Sequence, residues 1–192
     1  MAAGFTLNEF SSNLKALARP NRFLLSIVNE PTLKNSKVLP NNYEFLIKTA
    51  GLPEVTNEKI EVQWFGRQMK LAGEPKYGTF DATFRAPADW SLIDYFEDWS
   101  ETVASISDNV RGNGFLNNTD TYKAVLKVQK YDANNGLVGS YFIHGAYPLS
   151  ITPIELTQDG GGSISDISVS FSMSYWSNSE AESTGEATVS LA

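Results

Sequence analysis

The densest group of potentially reactive side chains is a run of acids between positions 91 and 110. It contains four closely spaced carboxylates: Asp94, Glu97, Asp98 and Glu101. Paired carboxylates can carry out general acid–base chemistry. The same segment repeats apolar residues at intervals of three and four, which predicts one helical face. Three of these acids and Asp108 fall on a stripe away from that face. We therefore interpret the stripe as an acidic surface exposed to solvent or to a partner.

The remaining residues do not favour nucleophilic catalysis or metal binding. The chain has a single histidine, His144, and no cysteine. A catalytic nucleophile needs a hydrogen-bonded base and an orienting acid, and no strand–serine–helix turn is visible. The run TQDGGGSISD at 157–166 lacks the spaced acidic ligands of a calcium loop. We expect no enzyme, no metal site and no cofactor.

Net charge and hydropathy limit the possible partners. The 192 residues carry a formal charge of −7. Proteins gain most of their affinity for nucleic acid from Lys and Arg contacts to phosphate, so we do not expect specific binding to it. No segment approaches the roughly 20 apolar residues of a membrane span, and the N-terminal residues lack the pattern of a secretory signal. We expect no membrane insertion by this chain and synthesis inside the cell.

Alternation of apolar and polar residues predicts about seven β-strands. The clearest is ISVSFSMSY at 167–175, where four serines separate Ile, Val, Phe, Met and Tyr on one apolar face. An Asn-Gly pair at 135–136 predicts a hairpin. Helices are predicted over 6–18 and 91–110. The fold class is therefore mainly β, a sandwich or barrel with one packed α-helix.

The aromatic residues predict core positions, and the composition of the C-terminal segment predicts where the domain ends. Trp64 and Trp99 fall on predicted core faces, and Met69 and Leu71 are expected to point inward. Residues 1–177 form the predicted domain. The acidic, Ser-rich segment 178–192 has the composition of a disordered tail.

The order of several segments resembles the tail tube proteins of contractile-tailed bacteriophages. The most specific pieces are Ala-Arg-Pro-Asn at 18–21, the run from Arg67 to Gly73, and Gly145, Pro148 and Leu156 with a terminal Tyr-Trp. The resemblance covers roughly residues 15–177. The chain departs from the family in longer loops at 29–42 and 111–121 and in the tail after Trp176.

This resemblance implies a β-sandwich subunit that assembles into hexameric rings, with strands from all six subunits joined in one inter-subunit β-barrel. Stacked rings would form a hollow tube, and the type VI secretion tube protein is implied to share the fold. The implied partners are other copies of the chain, the tail sheath protein, the baseplate or tube initiator, the tape measure protein, and DNA that passes through without sequence-specific binding. The implied location is the virion tail, with assembly in the bacterial host cytoplasm.

Simple geometry agrees with such a tube. About 24 strands spaced about 4.8 Å apart and tilted about 45° close into a barrel roughly 50 Å across. An acidic wall would repel phosphate and let DNA slide.

Three surfaces are expected to mediate this assembly. The loop GRQMKLAGEPKYGT should contact the adjacent ring through Arg67, Lys70, Gly73 and Lys76. Candidates for a subunit or sheath interface are Arg19, Asn21, Ser168, Ser170, Ser172, Ser174, Asp94, Glu97 and Glu101. Candidates for the lumen are Lys59, Glu61, Gln63, Lys123, Lys127 and Gln129. Small hydroxyls suit a close neighbour or a water-filled surface where charge would be costly. The serine face is assigned to a subunit or sheath contact over the lumen, because the segments 58–72 and 122–145 are the better candidates for the barrel.

Two alternatives remain open. One is another part with the same fold: a tube initiator at the baseplate, a terminator, or a secretion-system tube. The other is a carbohydrate-binding β-sandwich, which would need a solvent-exposed aromatic platform.

Overall fold

The computed structural model describes residues 21–105, 121–152, 154, 158 and 164–178. Within these residues the chain forms nine β-strands and one α-helix. The elements are β1 (Phe23–Asn29), β2 (Ile47–Ala50), β3 (Val55–Trp64), β4 (Arg67–Tyr77), β5 (Phe80–Arg85), α1 (Ser91–Val103), β6 (Ala124–Tyr131), β7 (Leu137–Ile151), β8 (Asp166–Ser172) and β9 (Tyr175–Ser177). A short 3-10 turn, Tyr43–Leu46, precedes β2. The predicted mainly-β class with one packed helix is confirmed. The predicted helix at 6–18 and the tail beyond residue 178 lie outside the described residues.

Seven strands form one antiparallel sheet in the order β1-β6-β7-β8-β5-β2, with β9 also pairing to β7. The strands β3 and β4 form a separate two-stranded hairpin. The long strand β7 belongs to both halves of the sheet, because residues 142–144 pair with β9 and residues 147–151 pair with β8. This sharing lets the sheet fold over a single core.

A bulge at His144 and Gly145 makes this change of partner possible. Both residues lie opposite Val125, because the register runs from Ala124–Ala146 directly to Leu126–Ile143. Gly145 has φ +65°, a conformation that glycine adopts without steric penalty. One common type of β-bulge has a glycine in this left-handed conformation. The bulge also reverses which side chains of β7 face the core.

The predicted uninterrupted strand at 167–175 is wrong in its second half. β8 ends at Ser172, and a break in the strand at residues 173–174 separates it from β9, which begins at Tyr175. Because the break lies opposite the bulge, Trp176 rather than Tyr175 packs against the core. Tyr175 instead stacks on His144 from the other face, with ring centroids 4.5 Å apart.

The single helix covers the core as its sequence pattern predicts. Leu92, Phe96 and Trp99 are fully buried, and the Phe96 and Trp99 rings pack against Phe171 of β8. Trp99 Nε1 donates a hydrogen bond to the carbonyl of Tyr122 at 2.7 Å. These contacts confirm the predicted helical face.

The predicted extent of the helix, 91–110, is too long. α1 ends at Val103, because Ala104 adopts an extended conformation with φ −144°. Residues 106–110 of the predicted helix lie outside the described residues.

The predicted hairpin at the Asn-Gly pair is confirmed between β6 and β7, with a five-residue connection at 132–136. Asp132 Oδ1 accepts hydrogen bonds from the backbone N–H groups of Asn134 and Gly136 at 2.8 and 2.6 Å. Arg22 Nη1 donates to the carbonyls of Asp132 and Ala133. Arg22 therefore fixes the turn to the start of β1, a role that the sequence pattern did not reveal.

Candidate functional site

The hairpin β3–β4 projects from the main sheet. Its strands pair from Val55–Tyr77 at the base to Trp64–Arg67 at the tip. Every residue of the hairpin is exposed except Gly73, which is partly buried. A two-stranded hairpin has no core of its own, so its stability in water is marginal unless another surface packs against it.

One face of the hairpin is apolar from Ile60 to Trp64. Cross-strand pairs on this face are Ile60–Leu71 and Val62–Met69, and all four side chains are exposed. Trp64 is 66% exposed at the end of this face, and Phe65 in the turn is 90% exposed. The expectation that Trp64, Met69 and Leu71 face the core of their own subunit is therefore wrong. An exposed apolar surface of this length is typical of an interaction site.

The opposite face of the hairpin carries the polar residues Lys59, Glu61 and Gln63. Lys59 Nζ lies 2.7 Å from Glu61 Oε1, and Gln68 Nε2 also donates to the Glu61 carboxylate. The middle of the hairpin is thus amphipathic, whereas Arg67 at the tip and the Glu58–Lys76 ion pair near the base place charges at both ends of the apolar stretch.

The four proposed ring-contact residues occupy different positions on the hairpin. Arg67 follows the turn and pairs across from Trp64, whereas Lys70 lies on the polar face opposite Glu61. Lys76 forms an ion pair with Glu58 near the base. Gly73 lies where the register shifts between Asn57 and Lys59, and a Cβ there would come within 2.9 Å of the Glu58 carbonyl oxygen. Gly73 therefore permits a close backbone approach inside the hairpin.

The other lumen candidates lie on the main sheet. Lys127 and Gln129 alternate with the buried residues Leu126 and Val128 of β6, so they occupy the face away from the core. Lys127 Nζ is 5.2 Å from the ring centroid of Phe142. Lys123 precedes β6, with its Nζ 5.8 Å from the ring centroid of Tyr122. The structure does not bring these residues and the β3 candidates onto one sheet within a subunit.

The acidic helix α1 is partly neutralised within the chain. Asp94 Oδ2 lies 3.2 Å from Lys37 Nζ, and Glu101 Oε1 lies 3.5 Å from Lys34 Nζ. Glu97 is exposed, and no ion pair or hydrogen bond engages its carboxylate in the described part of the chain. Of the three proposed interface acids, Asp94 and Glu101 are therefore paired within the subunit, whereas the Glu97 carboxylate is not paired among the described residues.

Asp98 has a different role from its acidic neighbours. It is only 4% exposed and accepts hydrogen bonds from the backbone N–H groups of Asn35 and Lys37. The sequence pattern left Asp98 out of the acidic stripe of Asp94, Glu97, Glu101 and Asp108 but assigned it no role. Its place off that stripe was the signal that could have indicated a buried role.

The serine face of β8 is occupied by cross-strand hydrogen bonds to β5. The hydroxyls of Ser168 and Thr83 are 2.9 Å apart, and Ser170 Oγ donates to the carboxylate of Asp81. Ser172 ends the strand on the same face, partly buried. Ser174 lies in the break before β9, where its backbone N–H donates to the His144 carbonyl at 2.9 Å. Only three of the four serines therefore share a strand face.

Three further positions complete the comparison with the sequence. Asn21 is exposed beside the start of β1, and Arg19 lies outside the described residues. His144 is 4% exposed, and its Nε2 is 3.0 Å from Ser177 Oγ. His144 is thus part of the packing around β9.

Two further features of the described residues concern metal binding and membrane insertion. No group of three or more His, Cys, Asp or Glu side chains among them is arranged to hold a metal ion. In that same part of the chain, no helix has the length and apolar character needed to cross a membrane.

Comparison with known proteins identifies relatives over most of the chain. The sequence profile of the phage tail tube protein family matches residues 6–179. Tail tube protein gp19 of Enterobacteria phage T4 is 24% identical over 160 residues, which cover 83% of this chain and 90% of that protein.

Two solved structures are similar in fold. A chain in the 6-fold symmetrised baseplate of the anti-feeding prophage aligns with a TM-score of 0.59 at 13% identity, covering 84% of this chain and 94% of that one. A chain of the PVC sheath–tube complex, an extracellular contractile injection system in its extended state, aligns with a TM-score of 0.56 at 12% identity. That alignment covers 92% of this chain and 100% of the other.

Proposed function

The chain belongs to the phage tail tube protein family, and from that premise we propose that it polymerises as stacked hexameric rings into the hollow tube of a contractile phage tail. The observation that carries this proposal is the exposed apolar face of the β3–β4 hairpin. A subunit that kept this face in water would lose the free energy of burying it, at roughly 25 cal/mol per Å². Other copies of the chain are the partners that can cover it in every ring.

We assign the ring closure to strands joined between neighbouring subunits. The strands β1 and β2 end the strand order of the main sheet, and within the described residues no further strand pairs with β3 or β4. Exposed strand edges favour pairing with another chain, and closure into a barrel removes them. The 6-fold symmetry of the baseplate that contains a chain of similar fold supports six subunits per ring.

The proposed lumen is lined by the polar sides of the hairpin and of β6. Lys59, Glu61 and Gln63 would contribute from the hairpin, and Lys123, Lys127 and Gln129 from the main sheet. These six side chains include three lysines and one glutamate, and their contacts to DNA phosphates would not depend on base sequence. DNA and the tape measure protein would then pass through without specific binding.

The outer surface is proposed to contact the tail sheath protein. The helix α1 supplies Asp94 and Glu101, with Glu97 left for a neighbouring subunit, and the serine face of β8 with Asp81 of β5 supplies a second patch. The sheath–tube complex that contains a chain of the same fold supports a sheath partner. The finished protein would reside in the virion tail after assembly in the host cytoplasm, with the baseplate initiator as the starting point.

A tube initiator is the second candidate, because the aligned chain of TM-score 0.59 comes from a baseplate. Copy number separates the two functions, because a tube protein is present in many rings of each particle and an initiator only at the baseplate. Quantitative mass spectrometry of purified particles, with the sheath protein as the internal reference, measures that number.

Electron microscopy of the purified protein tests the proposed function directly. We expect hollow filaments of uniform diameter from the intact chain. Replacing residues 57–75 by Asn-Gly closes the hairpin above the Thr56–Lys76 pair, and this variant should remain folded but form no filaments. An unchanged thermal transition of the variant is the control for folding. Filaments of normal length from the shortened chain would contradict the role of the hairpin.

A further inference from the structure

The tip of the hairpin carries a compact aromatic and cationic group. The rings of Trp64 and Phe65 meet edge to face, with centroids 5.0 Å apart. Phe65 and Gly66 both have positive φ, 46° and 76°, so the turn is tight and presents the two rings outward. Arg67 lies directly across from Trp64. Within the described residues its guanidinium has no acidic partner.

An apolar groove opens beside the N-terminal half of α1. Its apolar lining includes Trp90 and Ile93 at the start of α1, and Ile151 and Ile154 at and beyond the end of β7. Ile167 lies underneath and is fully buried. The groove is exposed to solvent, and its lining offers apolar contact to a ring-shaped side chain.

Glu97 is the acid at the edge of this groove. The neighbouring acids of α1 are already engaged, because Asp94 pairs with Lys37 and Glu101 pairs with Lys34. Glu97 alone offers an exposed carboxylate beside an apolar surface, as far as the described residues extend. The groove therefore matches the hairpin tip in both composition and charge.

We propose that the hairpin tip of one subunit docks into the α1 groove of another copy, with Trp64 and Phe65 against Ile93 and Ile151 and with Arg67 paired to Glu97. This contact rests on the proposed tube function and specifies the residues that propagate the assembly. A tip and a groove at different places on one subunit make a heterologous contact, which continues from copy to copy instead of closing as a dimer. The aromatic rings supply buried area, and the ion pair selects the partner.

Charge reversal on each side of the contact provides the test. Arg67→Glu and Glu97→Arg should each raise the critical concentration for filament formation at least about tenfold, because like charges then face each other across the contact. The double variant restores an opposite-charge pair, so its critical concentration should return to within about threefold of the intact protein. Sedimentation and electron microscopy measure both quantities.

Lys70→Glu is the matched control, since Lys70 lies on the polar face of the same strand, away from Trp64. Combining it with Glu97→Arg should give no restoration. If the intact protein forms tubes and either single reversal leaves the critical concentration unchanged, or if the double variant fails to recover, the docking contact is refuted and the tube function stands. An intact protein that forms no filaments refutes both.

Cross-linking gives a second measurement that does not depend on long filaments. The chain has no cysteine, so subunits carrying Phe65→Cys can be mixed with subunits carrying Thr152→Cys, at the groove. Air oxidation should produce disulfide-linked pairs of the two subunits. A Lys76→Cys subunit, modified at the hairpin base, should not cross-link to the groove. Equal cross-linking from both hairpin positions would overturn the assignment of the tip.

Discussion

Asp98 of α1 holds the loop before β2 through Asn35. The Asp98 Oδ1 atom accepts hydrogen bonds from the backbone N–H of Asn35 at 3.1 Å and from its side-chain Nδ2 at 2.8 Å. The backbone N–H of Lys37 donates to Oδ2 at 3.3 Å. A carboxylate that is 4% exposed is stable there only because these donors replace water. The loop and the helix therefore form one unit.

Removing this carboxylate should destabilise the folded subunit. Asp98→Ala leaves the loop N–H groups without their acceptor, so we expect the free energy of unfolding to fall by about 2–3 kcal/mol. Urea unfolding at concentrations below filament formation measures the change. Glu97→Ala, one residue earlier on the exposed face, should change it by less than about 0.5 kcal/mol. Equal effects of the two substitutions would show that Asp98 does not hold the loop.

Gly145 should tolerate no side chain. Its φ of +65° is unfavourable for other residues, and an added Cβ would collide with Ser174 Oγ. Gly145→Ala should therefore lower the free energy of unfolding by about 2–4 kcal/mol. Gly139→Ala in the same strand meets no atom within 4 Å and should be neutral or slightly stabilising. Thermal unfolding of the two variants distinguishes them, and matching losses would contradict the role of the bulge.

The buried Tyr95 and the partly buried Tyr43 should respond to loss of the hydroxyl in opposite directions. Tyr95 Oη is buried without a hydrogen-bond partner, whereas Tyr43 Oη accepts a hydrogen bond from the Ile27 N–H at 2.7 Å. Tyr95→Phe should raise the free energy of unfolding by about 1 kcal/mol, and Tyr43→Phe should lower it by about 1 kcal/mol. Urea denaturation of both variants measures these values. A loss of stability in Tyr95→Phe would show that its hydroxyl is satisfied.

Alkaline pH should weaken the fold through the same residues. Burial raises the pKa of Tyr43 and of Tyr95 above the usual value, which is about 10. The unfolded chain therefore loses these protons first as pH increases, and the stability present below about pH 10 declines above it, by up to roughly 1.4 kcal/mol per pH unit for each group. Unfolding midpoints between pH 8 and 11.5 should show this decline. The slope should be smaller in Tyr95→Phe, and an unchanged slope would exclude Tyr95 as a contributor.

The serine face can be tested at Ser172, which lies beyond the last paired residue of β5 and, within the described residues, makes no hydrogen bond to that strand. If this face contacts a neighbouring subunit or the sheath, Ser172→Glu introduces a charge that must be desolvated, and filaments or sheathed tails should fail to form. Ser172→Ala removes the hydroxyl without adding charge and should assemble normally. Negative-stain electron microscopy scores both variants. Normal sheathed tails from the glutamate variant would place the face away from any contact.

The sequence by itself determined the classes of element in this protein. Alternation with a period of two identified β8, because a strand between core and solvent has unlike faces. The spacing of Leu92, Phe96 and Trp99 identified the helical face for the same reason at a period of 3.6. The Asn-Gly pair located the hairpin between β6 and β7. These features depend on neighbours along the chain, so local patterns contain them.

Only the tertiary structure decided what covers each apolar face. The alternation of β3 is as regular as that of β8, yet Ile60 is exposed and Val169 is buried, because periodicity records two unlike faces and not what packs against them. The bulge at Gly145 reverses the faces of β7 and β9, and so exchanges Tyr175 for Trp176 in the core. Asp98 likewise becomes a buried acceptor only because the loop at Asn35, 63 residues earlier in the chain, supplies its donors. Burial depends on residues that are distant in sequence, and their positions are set when the sheet closes over its core.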